Sequence, residues 1–243
     1  MDYTELKKLM SEQKVEMTAA ERIKAYNEGK EVDHIPYTLQ APDPAMADIF
    51  GFTTSQFAKD FEVKSEVIRR RKEEFGLDSF NVGLGLRTIG VALGSKLGVP
   101  EHGIDYIEHH VLQDYADFDK LEVTDPYKNP VLAPILESAK RLKERFPDVS
   151  MTTSVAGPIS TAIAVRPVEK VLRDTRKNPE MLHKLLDLTV VCSLKWFEAF
   201  YHEFGSVGTN FSDPVTCMDV IRKNEYGNED DDLMNFRFLV LKN

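Results

Sequence analysis

VSMTTSVAGP (149–158) is the stretch that decides the fold. It reads as a strand over 149–155 that Gly157-Pro158 ends in a turn. Ahead of it, Ile135, Ala139 and Leu142 recur at helical spacing within 134–146, and Pro147-Asp148 stops that helix. Behind it, Pro167 and Asn178-Pro179 mark two helix starts, because proline in the first turn gives up an amide that has no intrahelical partner. The second of these helices carries Leu182, Leu185, Leu186, Val190, Leu194, Phe197 and Phe200, a stripe suited to packing on a sheet, and ends at Gly205. A further strand over 206–211 opens into Asp213-Pro214. Strands alternating with helices give an α/β protein with a parallel sheet or barrel.

The same alternation extends toward the N-terminus. Thr18-Ala-Ala-Glu21 has the spacing of a capping box, and Gly29 ends the helix it opens. IPYTLQ (35–40) reads as a strand, 66–75 as a helix stopped by Gly76, and 79–82 as another strand. Residues 90–126, with an extended segment over 106–112, read as an excursion between core elements. From Arg222 the character changes, with an acidic run at 229–232 followed by an apolar 236–241.

Composition excludes several functions. The 243 residues are 42% hydrophobic and 29% charged, enough apolar matter for a substantial core. No apolar run reaches the roughly 18–20 residues that span a bilayer, and the charged N-terminus is unlike a signal peptide, so a cytoplasmic protein without membrane contact is expected. Cys192 and Cys217 supply neither a disulfide framework nor the close spacing of a zinc ribbon. A net charge of -9 argues against nucleic-acid binding, and the basic run 69–72 is followed at once by Glu73 and Glu74, as on a solvated helix face.

Four blocks carry a resemblance to a known family. They are MTAAERI (17–23) leading to DHIP (33–36); FGLD (75–78) through ALG (92–94); DFDKLEVTDP (117–126) with the AGP turn at 156–158; and NPEMLH (178–183) through DP (213–214). In order and spacing they resemble the uroporphyrinogen decarboxylase (URO-D) superfamily, which includes porphyrinogen decarboxylases and cobamide-dependent methyltransferases. The resemblance implies a (β/α)8 TIM barrel of which this chain is the N-terminal portion, with about four of the eight strands. Residues 1–221 are then a partial barrel domain, and 222–243 an atypical acidic and apolar tail unlike the family. A truncated or frameshifted product is one expectation; a half-barrel that forms a homodimer is the other.

In such barrels the working groups stand just after the strands. Gln40 and Asp43 follow the first, Gly83, Gly85 and Arg87 the second, Ser154 and Gly157 the third, and Asp213 the fourth. Asp213 is the candidate catalytic residue, with capping of the next helix as its structural alternative. Gln40, Asp43, Arg87 and Gly157 are candidate substrate-binding residues; Arg87 either pairs an anionic substrate or lies on the surface. Thr88 occupies the third glycine position of GxGxxG, so no dinucleotide loop is expected. His109 and His110 would point to opposite sides of a strand.

The resemblance also implies chemistry. A porphyrinogen decarboxylase has an arginine-rich loop after strand one and an aspartate after strand two. Here the loop is reduced to Gln40-Ala41 before Pro42-Asp43-Pro44, and the aspartate aligns on Gly85. The methyltransferases hold zinc with a His-x-Cys pair and a later Cys in the second half of the barrel, and neither cysteine here has a histidine two residues before it. No metal ligand is therefore assigned in this chain. The leading expectation is methyl transfer from a corrinoid carrier to a thiol or similar small-molecule acceptor, with zinc and a corrinoid in the intact form and a corrinoid protein as partner. Uroporphyrinogen decarboxylation in porphyrin and heme biosynthesis is the alternative, and an inactive truncated product is the alternative of another class.

Overall fold

The computed structural model describes residues 3–12, 16–17, 19–35, 43–75, 79–101, 104–147, 149–205 and 209–214. The chain divides into two compact units, residues 1–78 and 79–243.

The described part of the first unit is helical: α1 (Tyr3–Glu12), α2 (Ala19–Asn27), α3 (Asp43–Ile49), α4 (Thr54–Lys59) and α5 (Phe61–Phe75). After α2 the chain turns at Gly29, whose φ of 68° lies in the left-handed region that glycine enters without cost. Arg22 of α2 then grips Asp33 through both carboxylate oxygens, Nε at 2.5 Å and Nη2 at 2.9 Å. The amides of Glu16 and Met17 also donate to Asp33, so one carboxylate ties the chain on both sides of α2. The Arg22 guanidinium, helped by these amides, holds the Asp33 carboxyl far below the usual range. The block that carried the resemblance at 17–36 is thus a clasp around one helix.

Met46, Ala47, Phe50, Phe57 and Val67 form a core in this unit, with Phe52 and Val63 packed against it. α5 starts earlier than the expected Glu66 because Asp60 accepts the Glu62 amide at 2.8 Å and so caps a turn that the apolar pattern does not mark. Of the basic run expected on a solvated face, Arg69 is exposed and bridges Glu66 and Glu73, each one turn away, whereas Arg71 is buried and Arg70 is half-buried over the Phe50 ring. Thr18 and residues 36–40, where a capping box and most of a strand were expected, lie outside the described residues, and Ile35 belongs to no strand.

The second unit holds the sheet. Its elements are β1 (Ser79–Gly83), α6 (Thr88–Ala92), β2 (Lys96–Gly98), β3 (Tyr106–His109), a 3-10 turn (Tyr115–Lys120), α7 (Leu132–Arg145), β4 (Ser150–Ala156), α8 (Pro158–Val165), α9 (Val168–Lys177), α10 (Pro179–Phe204) and β5 (Thr209–Ser212). β1, β4 and β5 make a parallel sheet in that order, with Asn81 beside Thr152, Gly83 beside Ser154 and Ser154 beside Asn210. β2 and β3 form a separate antiparallel pair, which accounts for the excursion. Among the described residues the sheet is open and closes no barrel.

Side chains alternate across a strand, so the sheet has two characters. On one face Phe80, Val82, Met151, Thr153 and Val155 are buried. α10 covers that face: Trp196 is fully buried and its indole Nε1 donates to the Thr153 hydroxyl at 2.8 Å, which donates to the Val82 carbonyl at 2.8 Å. α10 ends at Gly205 with φ 67°, as read from the sequence. α8 is the helix that sequence pattern did not show. Ile159, Ala162, Ala164 and Val165 are buried together with Ser160 and Thr161, so nearly every side is covered and no amphipathic period exists to be seen. No described helix is long and apolar enough to cross a membrane.

Candidate functional site

The other sheet face is polar. Asn81 and Gly83 of β1 stand beside Thr152 and Ser154 of β4 and are exposed on it. The Ser154 hydroxyl donates to Asn81 Oδ1 at 2.9 Å, Asn81 Nδ2 donates to Thr152 Oγ1 at 3.3 Å, and that hydroxyl donates to the Phe80 carbonyl at 3.4 Å. Because the Thr152 proton is committed to a carbonyl, Thr152 must accept from Asn81, and this fixes which way the amide points. Gly83 ends the strand without a side chain: a Cβ there would lie 2.7 Å from Ser154 Oγ and 2.8 Å from Asn81 Oδ1.

At the C-terminal end of the sheet, β5 delivers Asp213 to the start of α8. One carboxylate oxygen accepts the Ile159 amide at 3.1 Å; the other accepts the Ser160 amide at 2.9 Å and the Ser160 hydroxyl at 2.6 Å. These amides belong to the first turn of α8, where donors have no partner within the helix and the dipole favours negative charge. Asp213 therefore caps a helix that precedes it by more than fifty residues; the helix expected to follow it lies outside the described residues. Gly157 makes the approach possible. A Cβ at 157 would stand 2.4 to 2.6 Å from Asp213 side-chain atoms, and the Gly157 amide donates to the Ser212 carbonyl at 2.9 Å.

The remaining sequence candidates fall elsewhere. Arg87, in the turn after β1, donates to Asp105 at 3.0 Å and so pins the approach to β3. Gly85 takes φ 61° in that turn. Asp43 begins α3 in the first unit, and Gln40 lies outside the described residues. Asp213 and Gly157 are brought together at the start of α8, and Ser154 joins Asn81 on the polar sheet face; Asn81 and Ser160 are the residues that sequence reasoning passed over. For Asn81 a signal existed, since a polar residue between Phe80 and Val82 marks a second face. For Ser160 there was none, because its partner lies on a distant strand.

Among the described residues no group of three His, Cys, Asp or Glu side chains is placed to hold a metal. Cys192 is a buried free thiol, and Cys217 lies outside the described residues. Burial lowers the pKa of the His110 imidazole from its ordinary value. A separate groove lined by Thr124, Asp125, Tyr127, Lys195 and His202 runs along a different face of α10 from Trp196.

The sequence profile of the uroporphyrinogen decarboxylase (URO-D) family matches residues 18–227. The chain belongs to the URO-D family. A solved methyltransferase from Methanosarcina mazei shares the fold of this URO-D chain with a TM-score of 0.70 at 20% identity. The likeness covers 87% of this chain and 63% of that protein, so the chain spans less than two thirds of its length. No curated protein sequence matches this URO-D chain.

Proposed function

We propose that this URO-D protein takes part in methyl transfer within a (β/α)8 TIM barrel of the methyltransferase-like branch. A corrinoid carrier on a partner protein in the cytoplasm supplies the methyl group, and a thiol or similar small molecule, bound at the C-terminal ends of β1, β4 and β5, receives it. The observation that carries this reading is the lack of a carboxylate-binding cation at the described strand ends. Arg87 is engaged with Asp105, Gly85 stands where a decarboxylase has its aspartate, and the sheet face is lined by neutral Asn81, Thr152 and Ser154. A polycarboxylate porphyrinogen calls for paired arginines instead. The fold likeness to a methyltransferase supports the same reading.

Asp213 is the proposed catalytic group at this mouth. Three donors from α8 hold its carboxylate still, and this fixed group is the one that orients the S–H or O–H of the incoming molecule. The described residues do not assemble ligands for the zinc of the family's methyltransferases, and no step is assigned to a metal here.

Incubating the chain with methylcobalamin and a thiol while following the corrinoid spectrum tests this. Protein-dependent demethylation, reduced at least about tenfold by Asp213→Ala, is expected. No demethylation with any thiol, or release of carbon dioxide from uroporphyrinogen, would overturn it, the latter in favour of decarboxylation.

A further inference from the structure

We infer that Asn81, Gly83 and Ser154 form a subsite for an uncharged hydrogen-bonding group, a carboxamide or a hydroxyl, on the small molecule that binds at this end of the sheet. The inference rests on ligand binding at the strand ends, and is independent of which group is transferred.

Asn81 and Ser154 hold unused hydrogen-bonding capacity. Asn81 gives one amide N–H to Thr152 and receives the Ser154 proton on its oxygen, which leaves its second N–H as a donor. Ser154 has given away its only proton to Asn81, so its oxygen can only accept further bonds. One donor and one acceptor, with orientations locked by the chain that ends on the Phe80 carbonyl, therefore face outward together. This is the complement of a carboxamide or hydroxyl, each of which both donates and accepts.

Shape agrees with this. Ser154 Oγ and Asn81 Oδ1 stand 2.7 and 2.8 Å from where a Cβ of residue 83 would lie, so the pair closes over a position that only glycine leaves clear. In a strand, glycine is a poor choice for stability unless another group approaches the backbone closely. Charge excludes the alternatives. Neither side chain is ionised, while Asp213 is turned onto α8 and Arg87 onto Asp105. A carboxylate or phosphate placed against this pair would meet the lone pairs of Ser154 with no cation among the described residues of these strands to offset them, and such a mismatch is costly.

The experiment is an amide NMR titration of the isotopically labelled chain with acetamide, and in parallel with acetate at equal ionic strength. Acetamide is expected to shift the Asn81 side-chain amide and the backbone amides of Gly83 and Leu84, with affinity reduced about tenfold in Ser154→Ala, the loss of one hydrogen bond. Gly83→Ala drives a Cβ into Ser154 Oγ and Asn81 Oδ1, displaces the pair and is expected to abolish the shifts; Ser154→Ala, which removes a single oxygen, keeps the test open if that variant misfolds. Acetate shifting the same signals as strongly, or acetamide shifting none of them, would overturn the inference. Acetamide binding without corrinoid demethylation would retain the subsite and remove methyl transfer, whereas demethylation with acetamide silent would remove the subsite alone.

Discussion

Asp174→Ala is expected to lower the stability of the second unit by about 3–5 kcal/mol, because it leaves the Arg166 charge buried without its counter-charge. The Arg166 side chain is 4% exposed and that of Asp174 0%, with Nε to Oδ2 at 2.8 Å. The guanidinium also donates to the carbonyls of Gln113 at 3.0 Å and Leu112 at 3.4 Å, and lies 4.1 Å from the Tyr115 ring centroid. Burial, together with the Asp174 charge, pushes the Tyr115 phenol up to about 12, so the ring stays neutral beside the pair. A single ion pair thus joins the α8–α9 turn, α9 and the loop that leads to α7. Urea unfolding followed by fluorescence is the measurement, since Trp196 is the sole tryptophan and lies in this unit. The double change Arg166→Met with Asp174→Leu, which removes both charges, is expected to recover most of the loss.

Trp196→Ala is expected to cost about 3–5 kcal/mol, at the upper end of core truncations. The indole is fully buried, and its Nε1 bond to Thr153 begins the chain that runs from α10 through β4 to the Val82 carbonyl of β1. Truncation therefore opens a cavity and also cuts the polar link between the helix layer and two strands. Trp196→Phe retains most of the ring and loses the hydrogen bond, for an expected loss of about 1 kcal/mol plus the smaller cavity. Circular dichroism melts read both variants, because the fluorophore is gone in each.

Much of this fold was legible because local rules agreed with the tertiary outcome. The strand read at 149–155 appears as Ser150–Ala156, and that read at 79–82 as Ser79–Gly83. Pro179 and Gly205 bracket α10 as their backbone preferences demand. What stayed hidden depends on partners far apart in sequence. α8 shows no period because it is covered nearly all round, and its cap comes from β5. The Arg22–Asp33 and Arg166–Asp174 pairs look like scattered surface charges until the chain folds. The residues after the strands were found by a rule about barrels; the Asn81–Ser154 pair needed the register of two parallel strands, which sequence pattern alone does not supply.

Asp213, just after β5, caps the first turn of α8. Hydrogen exchange at the amides of Ile159 and Ser160 tests it most directly. Amides in the first turn of a helix exchange readily unless something outside the helix accepts their protons. Both are predicted to be protected in the native chain and to exchange about tenfold faster or more in Asp213→Ala, with the core amides of β4 unchanged. Rapid exchange of Ile159 and Ser160 in the native chain, or equal protection in the variant, would show that Asp213 does not cap α8.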